Sequence, residues 1–305
     1  RFSHSGDSWN VPEPDDPHSP AHMVERYGDD MMFLTRTQPQ AAGVARALER
    51  AGVLFEVQRS MDLDGWGAKD GQSERTTLYN ALQRLTDVSL ESGGSGGGLM
   101  AYGGTGGRSP KEVRLRHREA AALLDHTNHS YLESSSADVT AAVTDIANAE
   151  VVVHGDELTD YVTNEFWDVY GRGPGSVRHL NNSYRSDREW GKTLDGDDKQ
   201  ALKAALKRND EPVIDIPTKV YTLHASKGSE AENVVVYDGI TKTIRESMAE
   251  SPQARDNEYR TWYVALTRSR SNLFVLRDGF EWTIPFLPET MIDTAREAHK
   301  EGVEA

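Results

Sequence analysis

The chain has 305 residues, which is enough for two domains that each bury a core. It contains no cysteine, which excludes disulfides and thiolate metal sites and is typical of an intracellular, cytoplasmic protein. It has no run of about 18 apolar residues and no apolar segment near its start, so we expect neither a membrane span nor a secretory signal.

The charge of the chain is strongly acidic. Aspartate and glutamate number 49, lysine and arginine 34, and the formal net charge is −15. A nucleic-acid-binding domain usually carries a basic surface instead. Two interpretations stay open. Either the acidic side chains coat a face that nucleic acid never meets, or the source is a halophile, in which an acidic surface keeps proteins soluble in high salt.

The first ninety residues alternate between strand and helix patterns. Residues 31–35 are apolar and predict a strand, residues 44–51 show helical spacing, and residues 53–57 predict a second strand. Trp66 then lies between two glycines in a polar segment. An exposed ring there can stack on a base of single-stranded DNA, and it can equally fill a gap between domains.

The middle of the chain differs in composition from both ends. Residues 93–107 hold nine glycines and do not continue into G-x-x-x-x-G-K-[ST], so we predict a flexible linker and not a phosphate loop. Residues 108–211 show mostly helical spacing. Within them His126 and His129 share a helical face, but no third ligand has suitable spacing. We therefore expect surface histidines and no metal site.

Residues 220–276 carry the strongest pattern in the chain. Two apolar runs rich in β-branched residues flank a polar loop that contains His224 and Lys227. A helix-like segment ending at Arg268 follows, and then another strand-like run. Such runs predict a parallel sheet buried on both faces. Because ligands bind at the carboxyl ends of strands in these sheets, we expect the polar loop to lie there.

Two segments of this region resemble a known family. Residues 222–230 (TLHASKGSE) resemble motif V, and residues 263–268 (YVALTR) resemble motif VI, of UvrD/Rep-like superfamily 1 DNA helicases. The sequence departs from the family at Ser229, where leucine is usual, and near Tyr259, where a second arginine is common. The resemblance implies an α/β fold, a RecA-like parallel sheet with helices on both faces, interrupted by a mostly helical inserted domain.

The resemblance also implies a division of the chain. Residues 1–92 are expected to form the first part of the second motor domain (2A-like), and residues 93–107 the glycine-rich linker. Residues 108–211 are expected to form the inserted accessory domain (2B-like), an assignment that depends on position alone. Residues 212–305 complete the motor domain and carry motifs V and VI.

Residue roles follow by position in the two motifs. Arg268 falls on the family's arginine finger, which neutralises charge that develops on a transferring phosphoryl group. Glu230 falls on the glutamate that holds the nucleotide ribose, and Gly228 allows the backbone to approach the nucleotide closely. The alternative for Arg268 is an ion pair at the C-terminus of its helix.

Further positions are implied near DNA. Thr222 and His224 fall beside DNA phosphates, and Lys227 is placed to balance a phosphate. The family has an Arg-Thr pair at a strand end, as Arg36 and Thr37 are here, which implies a contact with the DNA backbone. The alternatives are a histidine bonded to a backbone carbonyl, a solvated lysine, and a turn arginine over the N-terminus of a helix.

Function is implied by the same resemblance. We expect the C-terminal motor portion of an ATP-dependent helicase that acts on single-stranded DNA or on its junction with duplex. We identified no Walker A or Walker B motif, so ATP and Mg²⁺ would be bound mainly by an N-terminal RecA-like half, and this chain alone would be inactive. The alternative is a non-catalytic module, derived from a helicase half, that binds DNA or a protein.

The halophile interpretation predicts that salt stabilises the protein. Raising KCl from 0.1 M to about 1 M shortens the Debye length from about 10 Å to about 3 Å, which screens repulsion among the excess acidic groups. We expect the melting temperature, followed by circular dichroism, to rise over this range. A steady fall would contradict the interpretation.

Overall fold

The computed structural model describes residues 11–12, 16–57, 65–68, 71–88, 108–133, 135–149, 152–181, 194–277 and 282–284. The chain separates into two compact units. The first comprises residues 1–47, 57–63 and 217–305, and the second comprises residues 48–56 and 64–216. Among the described residues, no helix is long and apolar enough to cross a membrane.

Nine strands and nine α-helices occur in the described part of the chain. The strands are β1 (Met31–Thr35), β2 (Glu56–Val57), β3 (Gly67–Ala68), β4 (Gly71–Gln72), β5 (Arg114–Arg116), β6 (Val152–His154), β7 (Lys219–Thr222), β8 (Ala231–Tyr237) and β9 (Ser269–Leu276). The helices are α1 (Pro20–Tyr27), α2 (Gln38–Arg50), α3 (Glu74–Leu85), α4 (His117–His126), α5 (Ser136–Ala149), α6 (Asn164–Tyr170), α7 (Gly196–Arg208), α8 (Lys242–Glu250) and α9 (Pro252–Leu266). Short 3-10 helices lie at Pro110–Glu112, His129–Tyr131, Gly155–Asp160 and Gly173–His179.

The first unit is built on a parallel sheet. Its strands follow the order β7-β1-β8-β9, and β1 pairs in parallel with both β7 and β8, while β8 pairs in parallel with β9. All five residues of β1 are buried, so both faces of the sheet are covered there. The predicted α/β class with a mostly parallel, RecA-like sheet is confirmed.

One face of this sheet packs against α9. Met32 and Val234, from adjacent strands, belong to the same buried cluster as Trp262 and Ala265 of the helix. Ser251 begins α9, because its hydroxyl accepts a hydrogen bond from the Ala254 amide at 3.2 Å. The helix is therefore fixed at its start by a cap and along its length by the sheet.

The second unit is mostly helical. Arg75 in α3 is buried and pairs with Glu49 and Asp198, which lie far apart in the sequence. Desolvation lowers the pKa of Arg75, but the two carboxylates outweigh it and leave the pKa raised. Gly52 has a φ of +74°, and a Cβ there would lie 2.3 Å from the Ala204 carbonyl oxygen, so this position requires glycine. The predicted accessory domain stays a prediction, and the glycine-rich run at 93–107 lies outside the described residues.

Packing of α9 gives a stability prediction. Trp262 is 1% exposed and Tyr263 is 68% exposed, although they are neighbours on the same helix. We expect Trp262→Ala to lower the free energy of unfolding of the first unit by about 3–5 kcal/mol, through the cavity it leaves. The matched control, Tyr263→Ala, should change it by less than about 0.5 kcal/mol. Urea unfolding followed by circular dichroism measures both, and equal effects would show that α9 is not packed in this way.

Candidate functional site

The parallel sheet of the first unit separates the predicted site residues into two groups. Arg36 directly follows β1 and Thr222 ends β7, so both lie at the carboxyl ends of the strands. Glu230 directly precedes β8 and Arg268 directly precedes β9, so both lie at the opposite ends. We call these the carboxyl edge and the amino edge. The seven residues of β8 separate the edges by about 20 Å.

The polar loop 223–230 connects the two edges. It starts at the carboxyl edge, where the Leu223 amide donates to the Thr35 carbonyl at 2.9 Å. Ser226 is fully buried and its hydroxyl donates to the Leu223 carbonyl at 2.8 Å, which tightens the turn. His224 and Lys227 are exposed. The loop is therefore held by its serine and presents its basic side chains outward.

The expectation that the whole loop lies at the carboxyl ends is wrong. Because β7 and β8 are both parallel to β1, the chain must return along the sheet before β8 can begin. Glu230 therefore lies at the amino edge. Gly228 supports this return with a φ of +86°, and a Cβ there would meet nothing within 4 Å. Its backbone conformation, and not crowding, favours glycine.

Arg268 is fixed by bonds to the end of its own helix. Its amide donates to the Ala265 carbonyl at 3.1 Å, and its Nε donates to the Val264 carbonyl at 2.8 Å. Its Nη2 donates to the Thr267 hydroxyl at 3.2 Å. These acceptors carry no formal charge. Arg268 therefore bonds the end of its helix through neutral acceptors, which differ from the ion pair of the alternative interpretation, and these contacts do not neutralise the guanidinium charge.

Glu230 and Arg268 are brought together by strand pairing. The Ala231 amide donates to the Arg268 carbonyl at 3.2 Å, and Ala231 pairs in register with Ser269. Glu230 is exposed, and its carbonyl accepts a bond of 3.4 Å from Lys219 Nζ. Strand pairing therefore brings the backbones of Glu230, which is exposed, and Arg268, which is half-buried, to the same edge, although 38 positions separate them in sequence.

Thr37 and Gln40 shape the turn at the carboxyl edge. The Gln40 side-chain oxygen accepts from the amides of Arg36 and Thr37 at 3.1 and 3.0 Å. The Thr37 hydroxyl in turn accepts from the Gln40 amide at 3.4 Å, in the manner of an N-cap for α2. The hydroxyl of Thr37 thus serves the helix, and its predicted contact with DNA stays a prediction.

Arg36 forms a two-bond ion pair within the first unit. Its Nε and Nη2 donate to the two carboxylate oxygens of Glu258 at 2.6 and 3.0 Å. Glu258 Oε1 also accepts from Trp262 Nε1 at 2.8 Å. The side chains of Arg36 and Glu258 are 19% and 9% exposed. Glu258 was not predicted as a functional residue, and its one signal in the sequence is its position four residues before a tryptophan, Trp262.

The expectation of an exposed Trp66 is wrong. Its ring is fully buried in the second unit, at 5.9 Å from the Tyr79 ring in an edge-to-face arrangement. The Arg75 guanidinium lies 5.4 Å from the ring centroid. A ring enclosed in this way has no face available to a base, so Trp66 belongs to the core and not to a DNA site.

The expectation of surface histidines holds for His129 and is wrong for His126. His129 is exposed, but His126 is fully buried, because residues on every side of α4 are buried. His126 Nδ1 lies 3.1 Å from the Asn181 carbonyl, and Nε2 lies 3.7 Å from Glu74 Oε1. Asp125 completes a group whose donor atoms lie within 4.8 Å of one another. All three residues of this group belong to the second unit.

Two partial nucleotide motifs were overlooked in the sequence. Asp156 and Glu157 follow an apolar strand, as in a Walker B motif, but that strand is β6, which pairs antiparallel with β5. Glu157 accepts from the His154 amide at 3.2 Å, so it closes a local turn. Residues 191–193 read Gly-Lys-Thr, but Ser186 replaces the leading glycine of the phosphate loop. The latter segment lies outside the described residues.

Comparison with known families supports the two motifs. Residues 198–277 match the family model of the UvrD-like helicase C-terminal domain. The matched range includes β7, the polar loop, β8, α8, α9 and β9. The resemblance drawn from residues 222–230 and 263–268 is confirmed for this region. A comparison with curated proteins found no match.

Proposed function

We propose that the chain is part of the second motor domain of an ATP-dependent translocase on single-stranded DNA, a proposal supported by the match of residues 198–277 to the UvrD-like helicase C-terminal domain. In this proposal the amino edge faces the nucleotide and the carboxyl edge faces the DNA. An N-terminal RecA-like half would supply the phosphate loop and the ligands for Mg²⁺. The chain alone would therefore not hydrolyse ATP.

The observation that carries the proposal is that the pairing of Ala231 with Ser269 brings the backbones of Glu230 and Arg268 to one edge, away from His224. The Arg268 guanidinium is half-buried and bonded to a carbonyl and a hydroxyl, and its backbone is fixed on both sides. A positively charged planar fork held in place by such contacts suits a phosphate group. The adjacent carboxylate of Glu230 can accept hydrogen bonds from sugar hydroxyls.

When bound, ATP supplies the phosphoryl group whose negative charge develops during transfer. Arg268 would stabilise that charge from a fixed position, because its side chain is already oriented when the two halves close. Its neighbour Glu230 would orient the ribose. Both contributions depend on the strand pairing of Ala231 with Ser269, which sets the spacing of the two side chains.

At the carboxyl edge, exposed groups suit a phosphodiester backbone. Thr222 is half-buried at the end of β7, His224 is exposed two residues later, and Lys227 is exposed farther along the loop. Neutralising a phosphate with a lysine releases a counterion, so this kind of contact depends strongly on salt. The net charge of −15 repels a polyanion at long range, so binding in this proposal depends on local groups such as these.

We expect substitutions at the two edges to separate the two activities. His224→Ala should weaken binding of labelled oligo-dT by about tenfold, as the loss of one charged or polar contact does, and Arg268→Ala should leave it within about twofold. In a complex with an N-terminal half that carries the phosphate loop, Arg268→Ala should lower ATP turnover by a factor of about 10³ to 10⁵. The variant Arg268→Lys should recover little of this loss, because lysine lacks the planar fork. Fluorescence anisotropy and an ATPase assay measure these quantities.

Three other outcomes would be informative. Loss of DNA binding in Arg268→Ala would place DNA at the amino edge. ATP turnover by Arg268→Ala within about threefold of the parent would show that Arg268 is not an arginine finger. DNA or protein binding with no nucleotide dependence in the completed complex would favour a non-catalytic module.

A further inference from the structure

The ion pair between Arg36 and Glu258 connects the carboxyl edge to the interior of the first unit. Arg36 lies at the end of β1, and Glu258 lies within α9, 222 positions later in the sequence. The carboxylate is 9% exposed and also accepts from Trp262 Nε1, whose ring is in the core. Glu258 is therefore held by two partners, and its position is set by buried structure.

This arrangement leaves part of the guanidinium directed away from the carboxylate. Arginine has five N–H donors in one plane, and the bonds to Glu258 use one from Nε and one from Nη2. The remaining three donors are the two N–H bonds of Nη1 and the second N–H bond of Nη2, which point in other directions within the same plane. The Arg36 side chain is 19% exposed and lies directly after β1, so it is partly accessible to solvent at the carboxyl edge.

We propose that Glu258 is a positioning residue that orients Arg36 for a phosphodiester group of single-stranded nucleic acid. The inference rests on the proposed function, because it names how one contact of the DNA side is prepared. A fork fixed in advance loses less side-chain freedom when it binds a planar or tetrahedral oxyanion. Glu258 itself would not touch the nucleic acid.

Two possible roles of Glu258, cancelling the charge of Arg36 and positioning Arg36, predict opposite effects of Glu258→Gln on binding. If Glu258 only cancelled the charge of Arg36, then Glu258→Gln would make the edge more positive and would strengthen binding of an anion. If Glu258 positions Arg36, the same change removes a two-bond contact, since an amide offers one acceptor and one donor group in its place. Binding would then weaken, although the net charge has become less negative.

The experiment uses the full chain and fluorescein-labelled oligo-dT, with affinity measured by anisotropy. We expect Glu258→Gln to weaken binding by about tenfold, the loss expected when a charge-assisted contact is disordered. Glu250→Gln is the matched control, because it removes the same charge from an exposed position on α8 and should weaken nothing. Glu258→Asp keeps the charge but withdraws the carboxylate, and it should weaken binding as well.

A double-mutant cycle with Arg36→Met tests whether Glu258 acts through Arg36. In the Arg36→Met background, adding Glu258→Gln should change affinity by less than about twofold. This result would not follow from a merely structural role, in which Glu258→Gln would weaken binding equally in both backgrounds. Equal weakening, or stronger binding by Glu258→Gln than by the parent, would overturn the positioning role. Absence of oligo-dT binding by the parent chain would overturn the proposed function, and the positioning role with it.

Discussion

The parallel register of four strands is the constraint on which the rest of the first unit depends. Thr35 pairs with Thr222, and Ala231 pairs with Ser269, so the ends of β1 and β7 share one edge and the starts of β8 and β9 share the other. Motif V lies across both edges, because the strand before it and the strand after it run in the same direction. One short loop thus contributes to two chemically different surfaces.

Helix α9 joins these surfaces a second time. Near its middle, Glu258 holds Arg36 at the carboxyl edge, and beyond its last turn Arg268 lies at the amino edge. Between them Trp262 and Ala265 are packed against the sheet. About eight residues of helix, or about 12 Å, separate Glu258 from the helix end. The helix packs against the sheet through one buried face, so the positions of Arg36 and Arg268 are set by one packed element.

Features with local causes were predictable from the sequence. The apolar β1 and β8, the loop between β7 and β8, and the helix that ends before Arg268 all follow from periodicity and turn residues. The family resemblance depended on two short motifs in this same region, and the family match covers it. Here the local pattern and the tertiary structure agree.

Features with distant causes were not predictable. Trp66 is buried because Tyr79 and Arg75 enclose it, and its flanking glycines gave no sign of this. His126 is buried because α4 is covered on all sides, which its own spacing does not reveal. The Arg36–Glu258 pair joins residues 222 positions apart, and either side chain alone resembles an ordinary surface charge. Such contacts exist only once the sheet has brought the segments together.

Hydrogen exchange measured by mass spectrometry, with and without oligo-dT, tests most directly whether the two edges have separate roles. The account predicts that the oligonucleotide slows exchange in peptides covering residues 35–40 and 222–228 at the carboxyl edge. Peptides covering residues 264–271 at the amino edge should exchange at an unchanged rate. Protection confined to residues 264–271, or spread equally over both edges, would contradict the division of this sheet into a DNA side and a nucleotide side.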